Sequence, residues 1–214
     1  RNDDIVERCR NDGSGWEDYE DCNGAETGEI CQVGVCVSLC TINSKLQSYI
    51  GCEYWGADLD NAFVVGGGEG GYYYAAGSPY AIVVSNPNPK YPARVTIAGV
   101  EGTVETDLFG DPMDYSAIPP MGLRIFNLPR RDVDSTVLDA LAYRVKSTIP
   151  ITAYQFNPLQ NEQVFSNDAS ILLPTNALGK YYLVMTREQT FDDLKTYLTV
   201  VAFYDGETQV SVTV

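Results

Sequence analysis

The sequence predicts an all-β protein, an antiparallel β-sandwich of jelly-roll type with a small disulfide-rich module at its N-terminal end. Three observations predict it. Short apolar or alternating runs recur from residue 80 to residue 214, each bounded by Pro, Gly, Asn or Asp, which is the spacing of strands and turns. All 6 cysteines fall between Cys9 and Cys52. Helical patterning is confined to Asp134–Leu141 and Phe191–Lys195, too little to build a helical layer.

Residues 1–47 read as the module and 48–214 as the β domain. The cysteines are spaced Cys9-x12-Cys22-x8-Cys31-x4-Cys36-x3-Cys40-x11-Cys52, with no C-x2-C knuckle and no His in the chain, so disulfides are expected rather than zinc. The module has too few apolar residues for a core of its own, and cross-links must take that role. All six thiols, Cys9, Cys22, Cys31, Cys36, Cys40 and Cys52, are expected to pair. Their connectivity is open, except that Cys52, inside the first strand-like segment, should tie back to the module. Disulfides imply an oxidising compartment, and the chain is read as secreted, extracellular or displayed on a cell surface. Asn11-Asp12-Gly13 and Asn23-Gly24 are turn signals, and Gln32–Val37 reads as a hairpin around Gly34. The acidic run Glu17–Asp21 reads as a solvated face, since it lacks the EF-hand ladder.

The β domain opens on Ser48–Ala62, where Glu53, Asp58, Asp60 and Asn61 sit beside Tyr54 and Trp55. Asp58, Asp60 and Asn61 are a candidate calcium-ligand set, because hard cations take oxygen ligands. The competing reading is a turn whose Asp and Asn side chains cap nearby amides. Residues 63–79 read as a loop; Gly66–Gly71 contains no Lys and is no phosphate cradle. Tyr72, Tyr73 and Tyr74 are a candidate aromatic surface for a glycan or a protein. Alternatively, two of them cover the core.

Strands are then expected at Tyr80–Val84, Ala93–Ile97, Thr103–Leu108, Leu123–Phe126, Ala142–Ser147, Ile151–Phe156, Ser170–Leu173, Tyr181–Met185, Tyr197–Phe203 and Gln209–Val214. Asn86-Pro-Asn-Pro89 is a rigid turn, Pro150 separates two of the strands, and Asp205-Gly206 is a hairpin signal. Val210, Val212 and Val214 alternate to the last residue and are expected to face inward. An open edge there invites pairing with a neighbouring subunit or with later residues of a longer chain.

Acids outnumber bases 29 to 14, a net charge of −15. That excludes a phosphate-binding nucleic-acid partner, and no apolar run reaches the ~20 residues of a membrane span. Without His there is no Ser-His-Asp or Cys-His catalysis. Asp58 and Asp60 are an i, i+2 carboxylate pair that would share one strand face, with no second wall opposite. The chain is therefore read as a non-enzyme with no obligatory cofactor, calcium being the candidate.

The segments Ser48–Trp55, Asp58–Asn61, Tyr80–Pro87, Tyr154–Pro158 and Ser166–Pro174 resemble the IgGFc-binding protein N-terminal domain family, in the form found in large secreted bacterial proteins, where the domain often follows a Cys-rich stretch. The resemblance covers roughly residues 40–214. It implies an extracellular, non-enzymatic surface or matrix role and supplies no catalytic residues. Family domains run on beyond the equivalent of Val214, so this chain resembles an N-terminal part of one. The expected function is that of a structural subunit of an extracellular filament or layer, joined by strand pairing. The alternative is a monomeric adhesin acting through the aromatic loop.

Overall fold

A computed structural model describes residues 4–9, 14, 16–67, 70–104, 106, 117–164, 167–187 and 196–214, and their side chains except those of Cys9 and Trp16. The turn at Asn11–Gly13, the helix at Phe191–Lys195 and the far end of the strand at Thr103–Leu108 lie outside the described residues.

In chain order the strands are β1 (Ile5–Cys9), β2 (Trp16–Asp21), β3 (Glu29–Gln32) and β4 (Val35–Ser38), followed by a short helix α1 (Leu39–Asn43). Then come β5 (Gly51–Gly56), β6 (Phe63–Val65), β7 (Tyr72–Tyr74), β8 (Tyr80–Ser85), β9 (Val95–Gly99) and β10 (Gly102–Thr103). The series closes with β11 (Leu123–Leu128), β12 (Tyr143–Asn157), β13 (Asp168–Ile171) and a 3-10 turn at Thr175–Ala177. The protein is mostly β, and the paired strands are antiparallel.

β12 organises the main sheet, whose path runs β10-β9-β12-β8-β11, with β5 and β13 also paired to β12. Its first half lies between β5 and β9, with Arg144 opposite Trp55 on one side and Ala98 on the other. Its second half lies between β8 and β13, with Tyr154 opposite Val83 and Ile171. The sheet curls as β12 passes from one set of neighbours to the other. The two strands expected on either side of Pro150 are thus one strand of 15 residues. Pro150 falls where the register with β5 shifts, between Lys146 and Ile151, and an irregular point of this kind is where a strand tolerates a residue without an N–H.

The core lies on the inner face of this sheet. Tyr54, Tyr80, Ile82, Val84, Ile97, Leu128, Tyr143, Val145, Ile149 and Ile151 are fully enclosed. Three buried tyrosines need partners for their hydroxyls. Tyr54 donates to Ile151 O, Tyr143 to Pro129 O at 2.5 Å, and Tyr80 to Gln155 Oε1 at 3.2 Å. Burial pushes the Tyr54 and Tyr80 phenols far above their ordinary range. The rigid turn at Asn86 is itself buried: Asn86 Nδ2 donates to the carbonyls of Tyr91, Ile118 and Pro119 at 3.0–3.1 Å.

The module is built of two hairpins, β1–β2 and β3–β4. The turn Val33-Gly34 has positive φ at both positions, 52° and 78°, the primed geometry of two-residue hairpins. Cys22–Cys36 ties the module internally, and Cys40–Cys52 ties it to β5 as expected. The expectation that every thiol pairs is corrected at Cys31, which is unbridged. It stands opposite Cys36 across the hairpin, but the sulfur of Cys36 is taken by Cys22. The module also docks through polar contacts: Asp4 Oδ1 accepts from Tyr91 Oη, and Glu26 pairs with Arg94 at 2.6 Å. Gly28, at φ +73°, lies so close to the Thr148 carbonyl that a Cβ would stand 2.1 Å from its oxygen.

Several local expectations fail. Residues 63–74 are not a plain loop, because β6 and β7 pair as a hairpin. Asp134–Leu141 forms no helix; it is exposed as far as Ala140, with Leu138 wholly in solvent, and a segment this short holds no helix without packing. The acidic stretch Glu17–Asp21, by contrast, faces solvent as expected, exposed from Asp18 to Asp21 within strand β2. Tyr181–Met185, Tyr197–Phe203 and Gln209–Val214 carry strand patterns but pair with nothing among the described residues. Val210, Val212 and Val214 are correspondingly exposed rather than inward, Val212 to 62%. An alternating sequence buries a face only where a sheet edge receives it.

Candidate functional site

Two segments far apart in the sequence, Ala57–Asn61 and Gln155–Asn157, meet in space. After β5 the chain turns through Ala57–Asn61, and this turn packs against the end of β12. Asn61 Nδ2 donates to Asn157 O at 2.9 Å, Asn157 Nδ2 donates to Leu59 O, and Ala57 N donates to Gln155 Oε1 at 3.2 Å. Asp58 is buried to 2% exposure. Its Oδ2 accepts from Arg131 N at 3.0 Å and its carbonyl from Val133 N at 2.9 Å.

Burial pushes the Asp58 carboxyl up to about 6. The Arg131 amide and the Arg130 charge pull the other way, and Asp132 adds to the rise. Asp60 is raised as well, first by burial and then by Asp132 and Asp134. Asn61 Oδ1 accepts from Ala62 N at 2.7 Å. Of the calcium candidates, Asp58 and Asn61 therefore have side-chain oxygens turned to backbone amides, the bonding of a capped turn. Among the described residues no cluster of three or more His, Cys, Asp or Glu is close enough to hold a metal ion.

The tyrosine run lies on the β6–β7 hairpin. Phe63 is opposite Tyr74, and Val65 is opposite Tyr72. These four side chains are exposed, while Tyr73 is half-buried. The Phe63 ring is 5.5 Å from Tyr72 and 5.4 Å, edge-on, from Tyr74. Period-two alternation thus puts one aromatic face in solvent, and Phe63 belongs to it although the sequence pointed only to the tyrosines.

The C-terminal segments behave in two ways. Tyr181–Met185 and Gln209–Val214 stand clear of the body, with Leu183 fully exposed at 102%. Tyr197–Asp205 lies against it: Tyr197 Oη donates to Asp60 O at 3.1 Å. Phe203, Tyr204 and Asp205 form one wall of a cleft of about 360 Å³, with Glu53, Trp55, Arg144, Thr175 and Asn176 opposite.

The antiparallel register of β5 and β12 sets Trp55 against Arg144. Arg144 Nε donates to Glu53 Oε1 at 2.5 Å, and its guanidinium lies 5.6 Å from the Trp55 ring centroid. The sequence marked Glu53 and Trp55. It gave no sign of Arg144, Asn176 or Tyr204, which stand about 90 to 150 residues away in the chain and arrive only through strand pairing and the return of the C-terminal segment.

Among the described side chains Cys31 is a free thiol, half-buried. No helix among the described residues is long and apolar enough to cross a membrane. These features define an antiparallel all-β protein cross-linked by disulfides, the mark of a chain that folds in an oxidising compartment. No protein family, curated protein or solved structure matches the chain.

Proposed function

We propose that the protein is a secreted, non-enzymatic structural subunit of a cell-surface or matrix assembly, related to the IgGFc-binding domain proteins, whose copies join by strand addition. The observation that carries this reading is the unpaired state of Tyr181–Met185 and Gln209–Val214. Both are strand sequences, rich in β-branched and aromatic residues, and both stand exposed. Such segments gain ladder bonds and apolar burial by adding to another sheet.

The receiving surface is β11 of a second copy. It stands last in the strand order, and Leu123 and Ile125 on it are exposed. In this reading the donated strands extend the sheet of the neighbouring copy beyond its β11 edge. The two disulfides suit an extracellular setting.

Sedimentation of the purified chain tests the proposal. The wild type should form assemblies whose size grows with concentration. Val212→Pro removes a backbone donor from the donated strand and should shift the population to monomer without lowering the melting temperature, because Val212 is exposed and unpaired. A wild type that is monomeric at every concentration rejects strand addition. The second reading, an adhesin, is favoured by the exposed Phe63, Tyr72 and Tyr74 rings.

A further inference from the structure

We infer that the cleft between β5 and the Tyr197–Asp205 segment is a binding site for a neutral saccharide. At about 360 Å³ it stands near the lower end of the ~300–1,000 Å³ range of small-molecule sites. That is room for one or two sugar rings rather than a long chain. Three of its lining residues, Trp55, Phe203 and Tyr204, are aromatic; Arg144 lies over Trp55, so the rings left for the C–H face of a pyranose are those of Phe203 and Tyr204. The others supply both kinds of hydrogen-bonding partner that vicinal hydroxyls require. Glu53 and Asp205 accept, Arg144 donates, and Thr175 and Tyr204 do either.

Charge and geometry together decide against the other ligand classes. An ammonium ligand would seek the face of Trp55, the best cation-binding ring. That position is taken, because Arg144 holds its guanidinium 5.6 Å from the Trp55 centroid. An anion would meet Glu53 and Asp205 on a chain of net charge −15. The one cation in the cleft, Arg144, is already bonded to Glu53 at 2.5 Å. A neutral polyol escapes both conflicts, since it needs hydrogen bonds and an apolar face but no counter-charge.

The site is also built rather than incidental. Arg144 and Trp55 are direct register partners, and Asn176 is fixed by donation to Leu46 O at 2.7 Å. The 3-10 turn that carries Thr175 and Asn176 packs on β5, where Gly51 leaves no room for a Cβ beside Pro174. The opposite wall is held by the Phe203 and Tyr204 rings, 4.3 Å apart, and by the Tyr197 bond to Asp60 further along the same segment.

The test is a titration of the intact chain followed through the Trp55 indole N–H resonance. The chain has 2 tryptophans, and Trp16→Phe assigns the signals. The probes are cellobiose, maltose, lactose and diacetylchitobiose, with choline and inorganic phosphate as charged counterparts. A saturable shift with at least one saccharide is expected. Tyr204→Ala and Asp205→Asn, both at exposed positions, should each weaken it about tenfold, the effect of losing one hydrogen bond to a charged group or one ring face. No saturable shift with any saccharide overturns the inference. So does a shift that both variants leave unchanged, or one produced only by choline or phosphate.

Discussion

β12 and the C-terminal segments have the same sequence character and opposite fates. Tyr143–Asn157 and Gln209–Val214 both alternate apolar and polar residues and are rich in Val, Ile, Thr and Tyr. Yet Val145, Ile151 and Ala153 are wholly enclosed, whereas Val210, Val212 and Val214 are exposed. β12 lies among β5, β9, β8 and β13; the terminal segment has no neighbour among the described residues. Alternation makes a chain able to form a strand. What turns that ability into structure is an available edge, because ladder bonds and apolar burial are made between strands and not within one.

The largest contrast should appear on truncating one side chain in each region. Ile151→Ala opens a cavity beneath β12 and should cost about 2–5 kcal/mol. Val212→Ala removes an exposed side chain and should stay within ~0.5 kcal/mol. Urea denaturation of the two variants at a concentration where the chain is monomeric measures both. Equal losses would mean that the terminal segment is buried after all.

The next effect belongs to the link between module and sheet. Cys40→Ala with Cys52→Ala removes the bridge that holds α1 to β5 and should cost about 2–4 kcal/mol. Hydrogen exchange should rise in β3, β4 and α1 and stay low in the centre of β12. Uniform loosening of both regions would show that the module and the sheet unfold as one unit.

These contrasts also explain what could be read from the sequence. The strands around β12 were legible because each is a short run closed by Pro, Gly or Asn, and the tie from Cys52 to the module followed from the position of that cysteine alone. The continuity of β12 through Pro150 was hidden, since a proline reads locally as a break and only the change of partners makes it tolerable. The β6–β7 hairpin was hidden behind its glycines. Asp134–Leu141 reads as helix because Leu138 and Leu141 are spaced for one, but Leu138 stands wholly in solvent and no packed face holds the turns. The cleft was half legible: Trp55 and Glu53 stood out, and the residues opposite depend on tertiary structure. Asp58 was marked for its oxygen atoms, while its burial and its bond to Arg131 N could not be seen.

Asp58 gives the third effect, a dependence on pH. Burial raises its folded carboxyl to about 6 from an unfolded value of about 3.9. The folded state therefore binds the proton more tightly. The associated stability is fully present below about pH 4 and is lost as pH rises through about 6. Arg130, Arg131, Asp132, Tyr80 and Tyr143 surround the group. Asp58→Asn keeps an oxygen to accept from Arg131 N and removes the titration. The melting temperature of the wild type relative to Asp58→Asn should therefore fall between pH 4 and pH 7. A flat difference would place the titration elsewhere.

The smallest effect tests where the comparison between the two regions ends. Tyr197 belongs to the C-terminal region by sequence, yet its hydroxyl donates to Asp60 O at 3.1 Å. Burial, then Asp60, Asp168 and Asp132, raise its phenol above the ordinary range, so it stays a donor throughout neutral pH. The ring is half-exposed, and a single hydrogen bond in such a place contributes about 0.5–1.5 kcal/mol. Tyr197→Phe keeps the ring and deletes the bond. Global melting should hardly change, because the bond joins a segment to the body and not one core strand to another. At a concentration where the chain is monomeric, hydrogen exchange across residues 197–205 should rise several-fold, while residues 209–214 should exchange rapidly in both proteins. If residues 197–205 exchange as fast as 209–214 in the wild type, the segment is as free as the strands beyond it, and the cleft it walls does not persist in solution.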